Sequence, residues 1–166
     1  DNLVIVKDEN GDVYWPFLGI NQISSLTDGE GYQIKMDASD LLEIYGDLIP
    51  SDYEIFTPAG WSYIAYLHQD PADAEVMMAS VNDLIILKDG VGAVYWPILG
   101  VNYLGGGSGM MKPGQAYSVK ISSNSYFSYP DMTSASRFAS NASPVYPLTK
   151  FRESVNTGSN MTIGIP

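Results

Sequence analysis

Ten residues of this chain, KDENGDVYWP at 7–16, return as KDGVGAVYWP at 88–97. Sliding the chain on itself by 81 residues aligns 1–21 with 82–102, and twelve of the twenty-one positions are identical. Similarity of this strength means that one structural unit is built twice. Beyond a four-residue insertion inside GGGSGMMKPG the match resumes at offset 85, where Gly29, Tyr32 and Lys35 fall on Gly114, Tyr117 and Lys120.

The repeated residues have a local reading. LVIVKD and LIILKD are short apolar runs rich in β-branched residues, ENG and GVG are turn segments, and VYWP supplies a second strand closed by proline, so each copy opens with a β-hairpin. YQIKMD and YSVKIS alternate apolar and polar residues as half-buried strands do. LLEIY and YFSYP can supply a short last strand. Between the copies, GWSYIAYL alternates as another strand, and DPADAEVMMASV carries helix-start chemistry. Asp70 is placed to cap, Pro71 to take the first helical position, and Asp73 and Glu75 to sit near the positive end of the dipole. With Val76, Met77 and the apolar residues of 79–81 on one face, a helix of about ten residues is expected.

The predicted architecture is α+β, predominantly antiparallel β, in two tandem similar small modules with one short helix. An incomplete first β-module spans 1–57, a strand-helix-hairpin-strands module spans 58–130, and 131–166 form a Ser, Asn and Pro-rich linker with a terminal strand. The first copy starts at its hairpin and lacks the strand and helix that 60–81 give the second. MTIGIP near the other end reads as a strand with no partner inside the sequence, so an open sheet edge and a free strand are expected together.

Charge narrows the function classes. Eight basic against nineteen acidic residues give a net charge of −11, which repels nucleic acid and anionic lipid. No apolar run of about 18 residues is present to cross a membrane, and residue 1 opens on DNLVIVKD without a basic leader. The absence of cysteine removes thiolate metal sites, disulfides and cysteine nucleophiles. Twelve tyrosines, sixteen glycines and ten prolines suit a turn-rich β module of extracellular type.

Candidate sites divide between chemistry and packing. Asp8, Asn10 and Asp12 alternate like the start of a calcium loop, but Val13 and Gly19 stand where such a loop needs Gly and Glu, and the second copy has Gly90, Val91 and Ala93. A hairpin turn with Asn10 and Gly11 at positive φ is the better reading. Tyr14, Trp15, Tyr95 and Trp96, with Trp61, are the candidate glycan or partner contacts, since flat sugar faces stack on aromatic rings. The packing alternative sends one ring of each adjacent pair inward and leaves its neighbour outside. His68 is the only histidine and makes a poor case for a metal or a triad. GGGSG lacks the Lys and Ser/Thr of a phosphate loop and reads as a flexible loop tip. No catalytic residue, cofactor or metal is expected.

GW-x-x-I-x-x-L, a following short helix, K-D-x-x-G-x-V-Y-W-P, L-G-x-N and G-x-x-Y-x-x-K together resemble a module repeated in large exported proteins of Bacteroidota and other marine bacteria, the surface and type IX secretion cargo class. The resemblance covers residues 1–130. It departs from the pattern at Ala116, where a glycine usually precedes the tyrosine, and in the missing first half of copy one. It implies an extracellular or cell-surface location within a multidomain chain and carries over no catalytic residue. The expected function is therefore non-enzymatic: a structural or adhesive module of a secreted protein or filament, whose open edge and free strand have two readings, parts completed by the rest of a longer parent chain or head-to-tail strand complementation between copies. Its partners would be other domains of a parent chain or further copies. The alternative is a carbohydrate-binding module using Trp15, Trp61 and Trp96.

Overall fold

The computed structural model describes residues 2–44, 47–132, 151–155 and 161–164. The first copy contributes β1 (Leu3–Lys7), β2 (Val13–Trp15), β3 (Ile20–Asn21), β4 (Gly31–Met36) and β5 (Asp40–Ile44), and β6 (Ile55–Thr57) follows. The second contributes β7 (Gly60–Ala65), β8 (Ala72–Asp73), α1 (Ala74–Met77), β9 (Leu84–Lys88), β10 (Val94–Trp96), β11 (Val101–Asn102), α2 (Leu104–Gly107), β12 (Met110–Met111), β13 (Ala116–Ile121) and β14 (Ser125–Phe127). Two strands lie beyond them, β15 (Phe151–Val155) and β16 (Met161–Gly164). Among the described residues the fold is α+β and mostly antiparallel sheet, with two short helices.

Two five-stranded sheets dominate, ordered β16-β4-β1-β2-β3 and β11-β10-β9-β13-β7. Read from opposite ends, the two orders correspond strand by strand. The registers correspond as well: Val6 opposes Tyr14 as Leu87 opposes Tyr95, and Val6 opposes Ile34 as Leu87 opposes Val119. Even the register shift between Leu3 and Ile5 against β4 recurs between Lys120 and Ile121 against β9. Bulges fix where a strand bends, so a shared bulge places the same side chains on the same faces.

The ten repeated residues form the joint that sets these registers. Asp8 Oδ1 accepts the backbone N–H groups of Asn10 (2.9 Å) and Asp12 (2.8 Å), and Asp89 Oδ1 accepts those of Val91 (3.1 Å) and Ala93 (2.8 Å). This is an aspartate folding its own turn. Gly11 and Gly92 both stand at φ 89°, which only glycine adopts cheaply. Pro16 and Pro97 each start a 3-10 turn, closed by the N–H of Gly19 or Gly100 on the proline carbonyl.

The main core belongs to the second copy, where Leu87, Tyr95, Tyr117, Val119 and Ile121 pack with Ile64, Met77, Met78, Val81, Leu104 and Met111. The first sheet has a much smaller cluster, Tyr32 and Ile34 against Leu3, Val6, Ile23 and Met36.

Four expectations are corrected. The helix is a single turn, Ala74–Met77, instead of ten residues from Asp70. Ala72 and Asp73 pair with Met111 and Met110, and Ala74 N–H bonds to Gly109, so the chain is held in a sheet up to residue 73. Asp73 then caps by accepting the N–H of Glu75 at 2.8 Å. GGGSG is not a free tip: Gly105 and Gly106 take left-handed φ within α2, and the N–H groups of Gly107 and Gly109 bond to Tyr103 and Leu104. The expected linker contains a strand, β15, paired with β5 from Phe151–Ile44 to Val155–Asp40. The terminal strand is paired inside the chain, with β4. Residues 133–150, 156–160 and 165–166 of the expected linker and tail, and Tyr45 of LLEIY, lie outside the described residues.

Candidate strand-acceptor site

The edge of β4 away from β1 is where the first sheet departs from simple repetition. In the second sheet the equivalent edge, on β13, is filled by β7 of the same copy: Ala65 opposes Ala116, Ile64 opposes Tyr117, Tyr63 opposes Ser118 and Ser62 opposes Val119. In the first sheet β16 fills it, with Gly164 opposite Gly31, Ile163 opposite Tyr32, Thr162 opposite Gln33 and Met161 opposite Ile34. At offset 85, Gly31, Tyr32, Gln33 and Ile34 are Ala116, Tyr117, Ser118 and Val119. Ile163 therefore stands where Ile64 stands. A strand more than a hundred residues away in sequence enters the slot in the same direction and register as the local one.

The acceptor strand is held from below by its tyrosine. Tyr32 is buried and its hydroxyl accepts the N–H of Thr27 at 2.9 Å while donating to Glu30. Tyr117 repeats this with the N–H of Lys112 at 2.8 Å and with Gln115. Each ring thus pins the turn that leads into its own strand.

The start of β4 is also pressed on the second sheet. A Cβ at Gly31 would lie 2.5 Å from the Cβ of Ala116 and 3.0 Å from that of Tyr63. Gly31 and Ala116 are the same repeat position in the two copies, so the copies meet there and one partner has to be glycine. The outer edge of β7 is covered by the first copy: Ala65 N–H bonds to Gly29 O at 2.9 Å, Glu30 bridges Ile64, and Tyr63 N–H bonds to Glu9 Oε2 at 2.9 Å. Sheet edges left bare invite aggregation, and these contacts close one. Burial pushes the Glu9 carboxyl up, an effect Glu30 and Asp8 reinforce and the Tyr63 N–H opposes.

The aromatic candidates separate by face. Tyr95 is 9% exposed and packs in the core, while Trp96, next along the strand, is 36% exposed on the outward face. Tyr14 occupies the position of Tyr95 but is 38% exposed, and Trp15 is half-buried. Trp61 is 46% exposed and borders a cleft of about 210 Å³ with Glu9, Ser62, Tyr63, Lys88 and Ser118. The ammonium of Lys88 lies 4.5 Å from the Trp61 ring centre and that of Lys120 lies 5.7 Å away, so cations cover this ring. Trp61 and Trp15 are thus on different sheets and do not form one platform. His68 is buried against Tyr66 and Tyr129, at ring separations of 5.7 and 5.9 Å, and burial holds its pKa below the usual value.

Sequence reasoning did not identify Gly31, Glu9 or the two lysines over Trp61. The Gly31 contact left one trace, the unequal pair Gly31 and Ala116 at a single repeat position. No helix among the described residues is long and apolar enough to cross a membrane. In comparisons with known proteins, no family model, no curated protein and no solved structure matches this chain.

Proposed function

We propose that this chain is a non-enzymatic structural or adhesive module of an extracellular multidomain protein or filament, and that its units are joined by strand complementation. The observation that carries the reading is the slot beside β4, filled by β16 in the register that β7 uses beside β13. Main-chain hydrogen bonds give such a joint its affinity, and the alternating pockets of the sheet give it its register. Within one chain the tail closes the first sheet. Between chains the same pairing links the tail of one subunit to the first sheet of the next, a heterologous contact that propagates head-to-tail.

Measuring mass in solution against concentration, for the full chain and for a chain ending at residue 158, tests this. Concentration-dependent oligomers that disappear with the deletion are expected. A full chain that stays monomeric at high concentration, or oligomers that survive the deletion, would refute head-to-tail joining. Carbohydrate binding is the second reading, favoured by the outward exposure of Trp61 and Trp96 on the second sheet. Glycan-array binding abolished by Trp61→Ala and Trp96→Ala would support it.

A further inference from the structure

The slot beside β4 has a companion surface. In the second copy, β7 leads into β8 and α1, and this segment lies over the sheet: Ala72, Ala74, Met77, Met78 and Val81 all belong to the core that buries Leu87 and Tyr95. Asp73 and Glu75, at the start of α1, are near enough to Tyr95 to influence its hydroxyl. In the first copy, among the described residues, no segment does this. Among the residues whose burial is described, the cluster on that face contains residues of β1 and β4 and Ile23. The consequence shows position by position. Leu87 is fully buried and its equivalent Val6 is only half-buried; Leu104 is fully buried and its equivalent Ile23 is half-buried; Tyr95 is buried and Tyr14 is exposed.

We propose that the face of the first sheet formed by Val6, Tyr14 and Ile23 receives a strand–helix unit with the chemistry of residues 60–81, delivered by another module of the same repeat. The proposal rests on the strand-acceptor reading and extends it. The surface is continuous with the β4–β16 pairing, and the occupant is specified by the second copy, in which a strand in this register continues into a cover rich in Met, Ala and Val. Among the described residues, β16 supplies the strand without the cover. A unit that brings both gains the same main-chain bonds as β16 and in addition buries side chains like those of Met77 and Met78 on Val6 and Tyr14. It would displace β16 and not bind beside it.

Two fluorescently labelled peptides, residues 60–81 and residues 60–67, titrated into the full chain by anisotropy, test the proposal. The long peptide should bind about tenfold or more tighter than the short one, because only it reaches the open face. Tyr14→Asp, at an exposed position and used once its urea midpoint matches that of the parent, should bring the long peptide down to the affinity of the short one. Equal affinities for the two peptides would overturn the helix-binding face while leaving strand acceptance standing. A Tyr14→Asp chain that binds the long peptide unchanged would overturn it as well. Failure of both peptides would also overturn it, and strand acceptance would then be judged by the mass measurements on the full and shortened chains.

Discussion

Replacing Gly31 with alanine places a methyl where there is no room for one. The new Cβ would sit 2.5 Å from the Ala116 Cβ, and ordinary contact begins near 3.4 Å, so the two strands must part by about 0.9 Å. Neither atom can rotate away, because a Cβ is fixed by its backbone, and Tyr63 Cβ at 3.0 Å blocks escape on the other side. Overpacking of a tight core costs about 1–3 kcal/mol, and a clash between two rigid atoms belongs at the upper end, about 2–3 kcal/mol. In a chain of this size that lowers Tm by about 4–12 °C. Urea denaturation of four proteins measures it: the parent, Gly31→Ala, Ala116→Gly and the double variant. Ala116→Gly alone should cost about 0.5–1 kcal/mol in strand entropy. In the double variant the worst contact is gone, so it should be at least about 1 kcal/mol more stable than the sum of the single effects. A Gly31→Ala protein within about 0.5 kcal/mol of the parent, or strictly additive effects, would refute the direct apposition of the two copies.

Three further outcomes follow from the geometry. Tyr32→Phe and Tyr117→Phe should each cost about 1–2 kcal/mol in urea melts, because each strips the acceptor from a partly buried N–H, of Thr27 or Lys112; losses under about 0.5 kcal/mol would contradict the pinning role. Asp73→Ala should cost about 1 kcal/mol through the lost cap, whereas Asp70→Ala should change stability by less than about 0.5 kcal/mol, and equal costs would put the helix start back at residue 70. Burial lowers the His68 pKa from 6.5, so the unfolded chain binds the proton more readily. The stability His68 contributes is complete above its unfolded pKa and is lost as pH falls from there towards its folded pKa. The gap in Tm between His68→Leu and the parent should therefore shift in favour of the variant between about pH 7.5 and about pH 5, and a gap independent of pH would contradict this.

The repeat made the hairpins and their turn glycines legible, because the physical causes are local. An aspartate that folds its own turn, a glycine at positive φ and a proline that closes a strand all act within a few residues. The inward and outward alternation of Tyr95 and Trp96 was legible for the same reason. The helix was overestimated because its composition is sound while its first residues are claimed by β12, a partner almost forty residues away that local propensity cannot register. The slot beside β4 was visible as a missing strand, the place that β16 takes. Its filling from within the chain was not visible, because the sequence specifies what fits an edge and says nothing of which copy supplies it. Gly31 and Glu9 act across the contact between copies, and no period within either copy encodes that contact.

The absence of cysteine allows the central claim to be tested by a single engineered disulfide. Gln33 and Thr162 are directly opposite in the β4–β16 register, at a separation between facing strands that a disulfide can span. Lys35 is two residues further along and serves as the control. One variant carries Gln33→Cys with Thr162→Cys, the other Lys35→Cys with Thr162→Cys. Oxidation followed by peptide mapping should give a cross-link between positions 33 and 162 in high yield and little product from the pair at 35 and 162. No preference between the two pairs, or faster cross-linking at 35, would contradict the placement of β16 in the slot that β7 defines.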